Sequence, residues 1–327
     1  MSASNSKTPL MVFAAIVAVY GIFGWLDVAN YAQGGWATDP ENVVTQVLPG
    51  GPAEAAGLQV GDKITSLGGI ASTDADAQAH RSRPEVGETW EFVVERDGAE
   101  IAIDVTFGEP VPQRKFNAHA GFVVGFSFIG FTMWAFIQRQ TDSTSALLLA
   151  GTAFSLVFIA GPYFESYTVR SLVNLASVFI VWLGVASILN FLLVHLRSAG
   201  NRMYYLPALA ASIFIGWRIL ATPEATDALN NFGNIFIGVV AAFYLIFSLV
   251  TVYRAYSGAS ASDREAKGLN LMLIGALIGL LPPIVGIVTS VVAPQMVLPG
   301  QNFYFLTFVA VPIAWSMAVL KGGVATD

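Results

Sequence analysis

Val47-Leu48-Pro49-Gly50-Gly51-Pro52-Ala53-Glu54-Ala55-Ala56-Gly57-Leu58, followed by Gly61-Asp62-Lys63-Ile64, carries the reading of the fold. Val43, Val44, Val47 and Leu48 form a strand that Pro49-Gly50-Gly51-Pro52 stops, because proline brings no N–H to a ladder. Ala53–Ala56 is one helical turn closed by Gly57, a residue that takes the left-handed backbone of a helix end at no steric cost. Gly61-Asp62 turns into a strand at Lys63–Leu67, and Gly68-Gly69 turns again.

Downstream, Thr73–Ser82 reads as a short polar helix with aspartates in its first turn, where the helix dipole favours them. Trp90–Glu95 and Glu100–Thr106 alternate apolar and polar residues around Asp97-Gly98, a two-residue hairpin signal. The quoted stretch is similar to the "V-x-P-x-S-P-A-x-x-A-G-L-x-x-G-D-x-I" core of the bacterial PDZ domain, and Arg96-Asp97-Gly98 fits its hairpin. The resemblance runs over Asn42–Phe107. It implies a small α/β fold that adds an extended peptide as a strand beside Val43–Leu48, against the helix Thr73–Ser82. The peptide-binding candidates are Gly34, Gly35, Trp36, Val43, Val44 and Val47. Asp39 and Glu41 make the upstream loop acidic where a carboxylate would dock, and Ala75, Ala77 and Ala79 offer no deep pocket.

The remainder of the chain belongs in lipid. Of 327 residues 55% are hydrophobic and only 12% are charged, about half the share of a soluble domain. Apolar runs at Pro9–Ala29, Phe116–Phe136, Ser145–Pro162, Leu172–Leu196, Tyr204–Ala221, Phe232–Tyr253, Leu269–Val292 and Phe303–Leu320 are each expected to cross the bilayer as a helix, since only internal hydrogen bonds satisfy a backbone there. The fold class is therefore an α-helical polytopic membrane protein of about eight transmembrane helices with one small PDZ-like domain. Its boundaries fall at 1–31 (N-terminus and first helix), 32–115 (PDZ-like domain), 116–321 (a bundle of seven helices) and 322–327 (tail). Residues 32–115 hold six Lys/Arg against fourteen Asp/Glu, while the rest holds ten against eight.

Lys/Arg placement sets the orientation. Lys7, Arg139, Arg197, Arg202, Arg254, Arg264, Lys267 and Lys321 share one side, against Arg170 and Arg218 on the other. The outer loop Thr222–Asn231 carries Glu224 and Asp227. Both termini are thus expected in the cytoplasm of a bacterial inner-membrane protein, with the acidic domain outside. Ala29 and Ala32 stand three apart, where a signal peptidase prefers two, so the first helix is expected to be retained.

Polar residues in or near hydrocarbon require partners. Asp27, Glu165 and Arg218 fall at similar depth and are candidates for interface pairing, and Asn190 for an interhelical hydrogen bond. Gly121/Gly125 and Gly275/Gly279 are small-x-x-x-small pairs for close helix packing, and Pro282-Pro283 is expected to kink its helix.

Catalytic signatures are missing. There is no cysteine and no His-Glu-x-x-His helix. His80, His119 and His195 sit apart, Ser127 has no histidine at its depth, and no phosphate-binding loop is present. No metal, cofactor or nucleic acid is expected. The whole chain also loosely resembles the membrane-sensing half of competence-type quorum-sensing histidine kinases. That resemblance rests on Leu193-Val194-His195-Leu196-Arg197 before Tyr205-Leu206-Pro207, on Arg264–Pro282, and on Val311–Leu320. Only residues 322–327 follow Lys321 here, so an attached kinase is not expected. The resulting expectation is a non-enzymatic sensor that binds a peptide, lipid or protein and acts through a partner, another membrane or cytoplasmic protein that could meet the loop Ser257–Gly268. A structural subunit of a larger complex is the alternative. A PDZ-assisted membrane protease partner and a transporter stand further off.

Overall fold

The computed structural model describes residues 8–197, 202–220, 230–293, 295–296 and 298–322. Lys7, Glu224, Asp227 and the tail beyond Gly322 lie outside them. In chain order the first elements are α1 (Thr8–Asp27), β1 (Trp36–Thr38), β2 (Val44–Val47), α2 (Pro52–Ala55), β3 (Lys63–Leu67), β4 (Ile70–Ala71), α3 (Ala75–His80), β5 (Thr89–Arg96) and β6 (Ala99–Thr106). The helices α4 (Pro112–Gln138), α5 (Asp142–Ser155), α6 (Tyr167–Arg197), α7 (Leu206–Leu220), α8 (Asn230–Gly258), α9 (Ala261–Ala266), α10 (Leu269–Val292) and α11 (Ala310–Gly322) follow. Two compact units result. One is helical; the other joins Leu26–Ala118 to Pro162–Leu172.

Among the described residues seven helices are long and apolar enough to cross a membrane. The expected third crossing is different. Helix α5 has 14 residues, a rise of about 21 Å, and its end tightens as the N–H groups of Val157 and Phe158 turn back to Phe154 and Ser155. Thr141 and Thr144 start it with reciprocal hydrogen bonds, a capping box. The core gathers Phe191, Leu192, Tyr244, Met272, Leu280 and Trp315, and the Trp315 indole N–H donates to the Met272 carbonyl at 3.0 Å. A Cβ at Gly121 would stand 2.5 Å from the Phe158 carbonyl oxygen, and at Gly125 2.3 Å from the Ile159 side chain. At Gly275 and Gly279 it would stand 2.5 Å from Ala314 and Val311. Helix α10 runs on through Pro282 and Pro283. Asn190 is half-buried and makes no hydrogen bond among the described residues. The polar contact nearby is Ser187 Oγ to Tyr205 Oη at 3.1 Å. Depth alone was the signal for Asn190, and depth does not choose a partner.

The second unit holds a four-stranded antiparallel sheet in the order β4-β3-β5-β6 and a separate β1-β2 pair. The β5–β6 hairpin runs in register from Thr89↔Thr106 to Arg96↔Ala99. Its turn residues, Asp97 (φ 53°) and Gly98 (φ 79°), both take the left-handed backbone that lets a two-residue loop follow the twist of its strands. Phe92, Val94, Ile103 and Val105 alternate inward to meet Val44, Ala53, Leu58 and Ile64. Beside this core the buried carboxylate of Asp62 accepts from Arg96 Nε (2.6 Å), Arg96 Nη2 (2.7 Å) and the Gln59 N–H (2.8 Å).

The Arg96 guanidinium, with the Gln59 amide, holds the Asp62 carboxyl below its ordinary value of 3.8. A carboxyl depressed in the folded state stabilises above its unfolded pKa, and that contribution is lost as pH falls through the folded one. The melting temperature of this unit is therefore expected to fall on acidification below about pH 4, and Asp62→Asn to flatten that dependence. At pH 7 Asp62→Ala should cost roughly 2–3 kcal/mol in urea unfolding, since it strands a partly buried guanidinium.

Candidate functional site

Strand β2 is paired along its length on one side and only at its start on the other. On one side it pairs with β1, Trp36↔Val47 and Ala37↔Gln46. On the other the Val44 N–H donates to the Asp62 carbonyl and the Gly61 N–H to the Val44 carbonyl, both at 2.8 Å. The Val43 N–H is taken by Asp39 Oδ1 at 2.8 Å, and Val44 is buried. The second side of β2 is thus occupied at Val43–Val44, while no strand lies beside Thr45–Val47 among the described residues. Among the described residues β1 pairs with β2 alone, so Trp36–Thr38 presents an open edge along its whole length. Three residues are too few to show alternation in a sequence, which is why this strand was not anticipated.

At the start of β1 lies a cavity of about 520 Å³, lined by Gly34, Gly35, Trp36, Gln46, Leu48, Phe107, Val111 and Arg114 among others. The two glycine carbonyls are engaged: Gly34 accepts from the Ala53 N–H (2.9 Å) and Gly35 from the Leu48 N–H (2.8 Å). Their own N–H groups have no partner among the described residues. Gly35 has φ +83°, which favours glycine, and a Cβ on Gly34 would fall 1.5 Å from the Trp36 ring. That ring stands edge-on to Phe92 with centroids 4.8 Å apart. None of the lining residues is acidic, contrary to expectation. Asp39 and Glu41 sit instead in the β1–β2 turn, where the Asp39 carboxylate is spent on Val43. Two amides without a partner among the described residues and Arg114 share one concave site, a donor set whose chemistry suits a carboxylate. Arg114, which also lies over the Tyr31 ring at 4.8 Å, was missed because nothing in its sequence context ties it to a loop so far upstream.

Asp27 is partnered by a residue the sequence did not single out. Its carboxylate accepts from Arg83 Nη1 (2.8 Å), Arg83 Nη2 (2.5 Å), the Tyr163 N–H (3.0 Å) and the Asn30 amide (3.1 Å). Glu165 is exposed, and Arg218 lies in the last turn of α7. Ser127 Oγ donates to the Val124 carbonyl of its own helix at 2.6 Å. His119 Nδ1 accepts from the Trp25 indole (2.8 Å), His195 meets Ser143 Oγ at 3.3 Å, and His80 packs on the Tyr167 ring. No cluster of three potential metal ligands occurs among the described residues.

A PDZ-domain family model matches residues 43–81, so the chain carries a PDZ domain. Over 127 residues the chain is 40% identical to a probable periplasmic serine endoprotease, DegP-like, of Ectopseudomonas mendocina (strain ymp). That alignment covers 37% of this chain and 26% of the relative, so the chain spans about a quarter of the relative's length. The crystal structure of the serine endoprotease from Yersinia pestis is matched at 28% identity and a TM-score of 0.22, over 25% of this chain and 30% of that one. The likeness to the probable DegP-like serine endoprotease, together with the PDZ match, overturns the expectation of a non-enzymatic sensor and turns the reading towards proteolysis. Nothing in them supports the likeness to quorum-sensing kinases, which was carried by hydrophobic text that many helix bundles share.

Gly34→Ala is expected to dislodge Trp36 from Phe92 and to destabilise this unit by about 1–3 kcal/mol, as overpacking does. Gly35→Ala should cost about 1 kcal/mol through its backbone alone. Urea unfolding of the full-length variants separates the two.

Proposed function

We propose that the chain is a membrane-borne PDZ partner in proteolysis, holding polypeptides along the edge of β1 and in the cavity at Gly34-Gly35. The observation that carries this reading is the open strand edge leading to two unpaired amides beside Arg114. An extended polypeptide continues the ladder by main-chain hydrogen bonds whatever its sequence, and its terminal carboxylate ends at the amides. Degradation deals in chains that expose main chain and free ends, so this chemistry suits a step that captures substrate. The likeness to a probable periplasmic serine endoprotease supports placing the capture within proteolysis.

The arrangement that serves this reading is eight crossings of a bacterial inner membrane, with both termini cytoplasmic and the PDZ unit outside. It is supported by the seven long apolar helices, by α5 as a shorter eighth, and by the bias of eight Lys/Arg against two between the loops. Membrane lipids and a protease are then the partners.

Fluorescence anisotropy on the full chain in nanodiscs, with labelled extended peptides, tests the capture step. A peptide with a free carboxylate should bind about tenfold tighter than its C-terminal amide, and Arg114→Ala should erase most of that difference. Equal affinity for acid and amide, or no binding of either, would sink the reading of the cavity. Membranes lacking the chain should degrade unfolded extracytoplasmic polypeptides more slowly, and an unchanged rate would remove the link to proteolysis.

A further inference from the structure

Helix α3 has six residues and none of them is buried. An isolated helix of that length does not hold itself, so its position is imposed from outside. Its beginning is held locally: Asp74 Oδ1 accepts from the Ala77 N–H (3.0 Å), and the Gln78 amide donates to the Ile70 carbonyl of β4 (3.0 Å). Its end is held by a segment far away in the chain. Arg170 Nη2 donates to the Ala79 carbonyl at 2.5 Å, one of the acceptors a helix end leaves unpaired. The His80 ring lies against the Tyr167 ring with centroids 4.2 Å apart.

The same segment closes on the residues that follow. The Tyr163 hydroxyl oxygen accepts from the Arg83 N–H at 2.8 Å and from Arg170 Nη1 at 2.7 Å. The Arg83 guanidinium, forked onto Asp27, lies 4.7 Å from the Tyr31 ring and 4.6 Å from the Tyr163 ring. Charge-assisted and cation–π contacts converge on one short stretch with no apolar anchor of its own.

We infer that Tyr163 and Arg170 are positioning residues of the peptide-binding unit: the Pro162–Leu172 segment sets the place of α3, and with it the width of the groove and the affinity for polypeptide. The inference rests on the capture reading above and on the PDZ resemblance, which sets a bound peptide against the helix Thr73–Ser82. PDZ affinity in this chain is therefore completed by a strap from between two apolar helices and is not a property of residues 32–115 alone.

The test uses the full chain in nanodiscs with Arg170→Ala, Arg170→Lys and Tyr163→Phe. Arg170→Ala should speed hydrogen exchange at the Gln78 and Arg81 amides and weaken binding of the free-acid peptide about tenfold. The melting temperature of the sheet unit should stay unchanged. Arg170→Lys, which keeps the charge without the fork, should fall between Arg170→Ala and the parent chain. Tyr163→Phe removes only a hydroxyl and decides the matter should Arg170→Ala misfold, since it should speed the same exchange and weaken binding in the same direction. Unchanged affinity in Arg170→Ala and Tyr163→Phe, in a parent chain that binds peptide, overturns the inference. A parent chain that binds no peptide fails the capture reading first, and the inference with it.

Discussion

The carboxylate of Asp62 is the point on which the sheet unit depends. Burying a charge costs several kcal/mol unless every lone pair is met, and here three donors meet it from two sides. Arg96 closes the arrangement by sending Nη2 to the Gly57 carbonyl at 2.9 Å as well. One guanidinium thus joins the end of α2, the turn into β3 and the tip of the β5–β6 hairpin. The Gly-Asp and Arg-Asp-Gly stretches that mark the PDZ resemblance are, in space, two halves of one ion pair. With the turn into β3 held, the Asp62 carbonyl is in place to occupy one edge of β2. The other side of β2 pairs with β1, whose outer side has no strand beside it among the described residues.

The geometry of capture follows from that order of occupation. The Gln33 and Gly34 carbonyls are taken by the Gly108 and Ala53 N–H groups, so the opposite sides of those two peptide groups are the Gly34 and Gly35 N–H groups, which have no partner among the described residues. Glycine is required at Gly35 by its left-handed backbone and at Gly34 by the ring of Trp36. Specific sequence recognition is not what such a site offers. It reads main chain and charge, which suits clients that share a state and not a sequence.

Much of this was legible in the residues, and the gaps have physical causes. Lys63–Leu67 and the hairpin around Asp97-Gly98 emerged close to their observed limits, because period-two alternation and turn chemistry act within a few residues. Strands β1 and β4, of three and two residues, are too short to alternate. Ser145–Pro162 reads as a crossing by composition, but its helix stops at Ser155, a boundary set by tight turns that an apolar count does not register. The contacts of Arg83, Tyr163, Arg170 and Arg114 were invisible for a different reason. Each joins residues far apart in the chain, and a charge or a phenol in a loop carries no mark of its partner. Asp27 was chosen for its depth beside Glu165 and Arg218, and its ion pair is with Arg83.

The strap also imposes a timetable. Arg83 and Tyr163 are 80 residues apart, and at roughly 5–20 residues per second a ribosome takes several seconds to travel between them. Throughout that interval the sheet can fold, but the end of α3 has neither Tyr163 nor Arg170 to rest on. Helices α4 and α5 must be made before the segment that completes the unit appears. A nascent or truncated copy thus carries the edge strand without a finished groove. Under the proposed capture, the receptor would therefore be completed only after two further helices have been made.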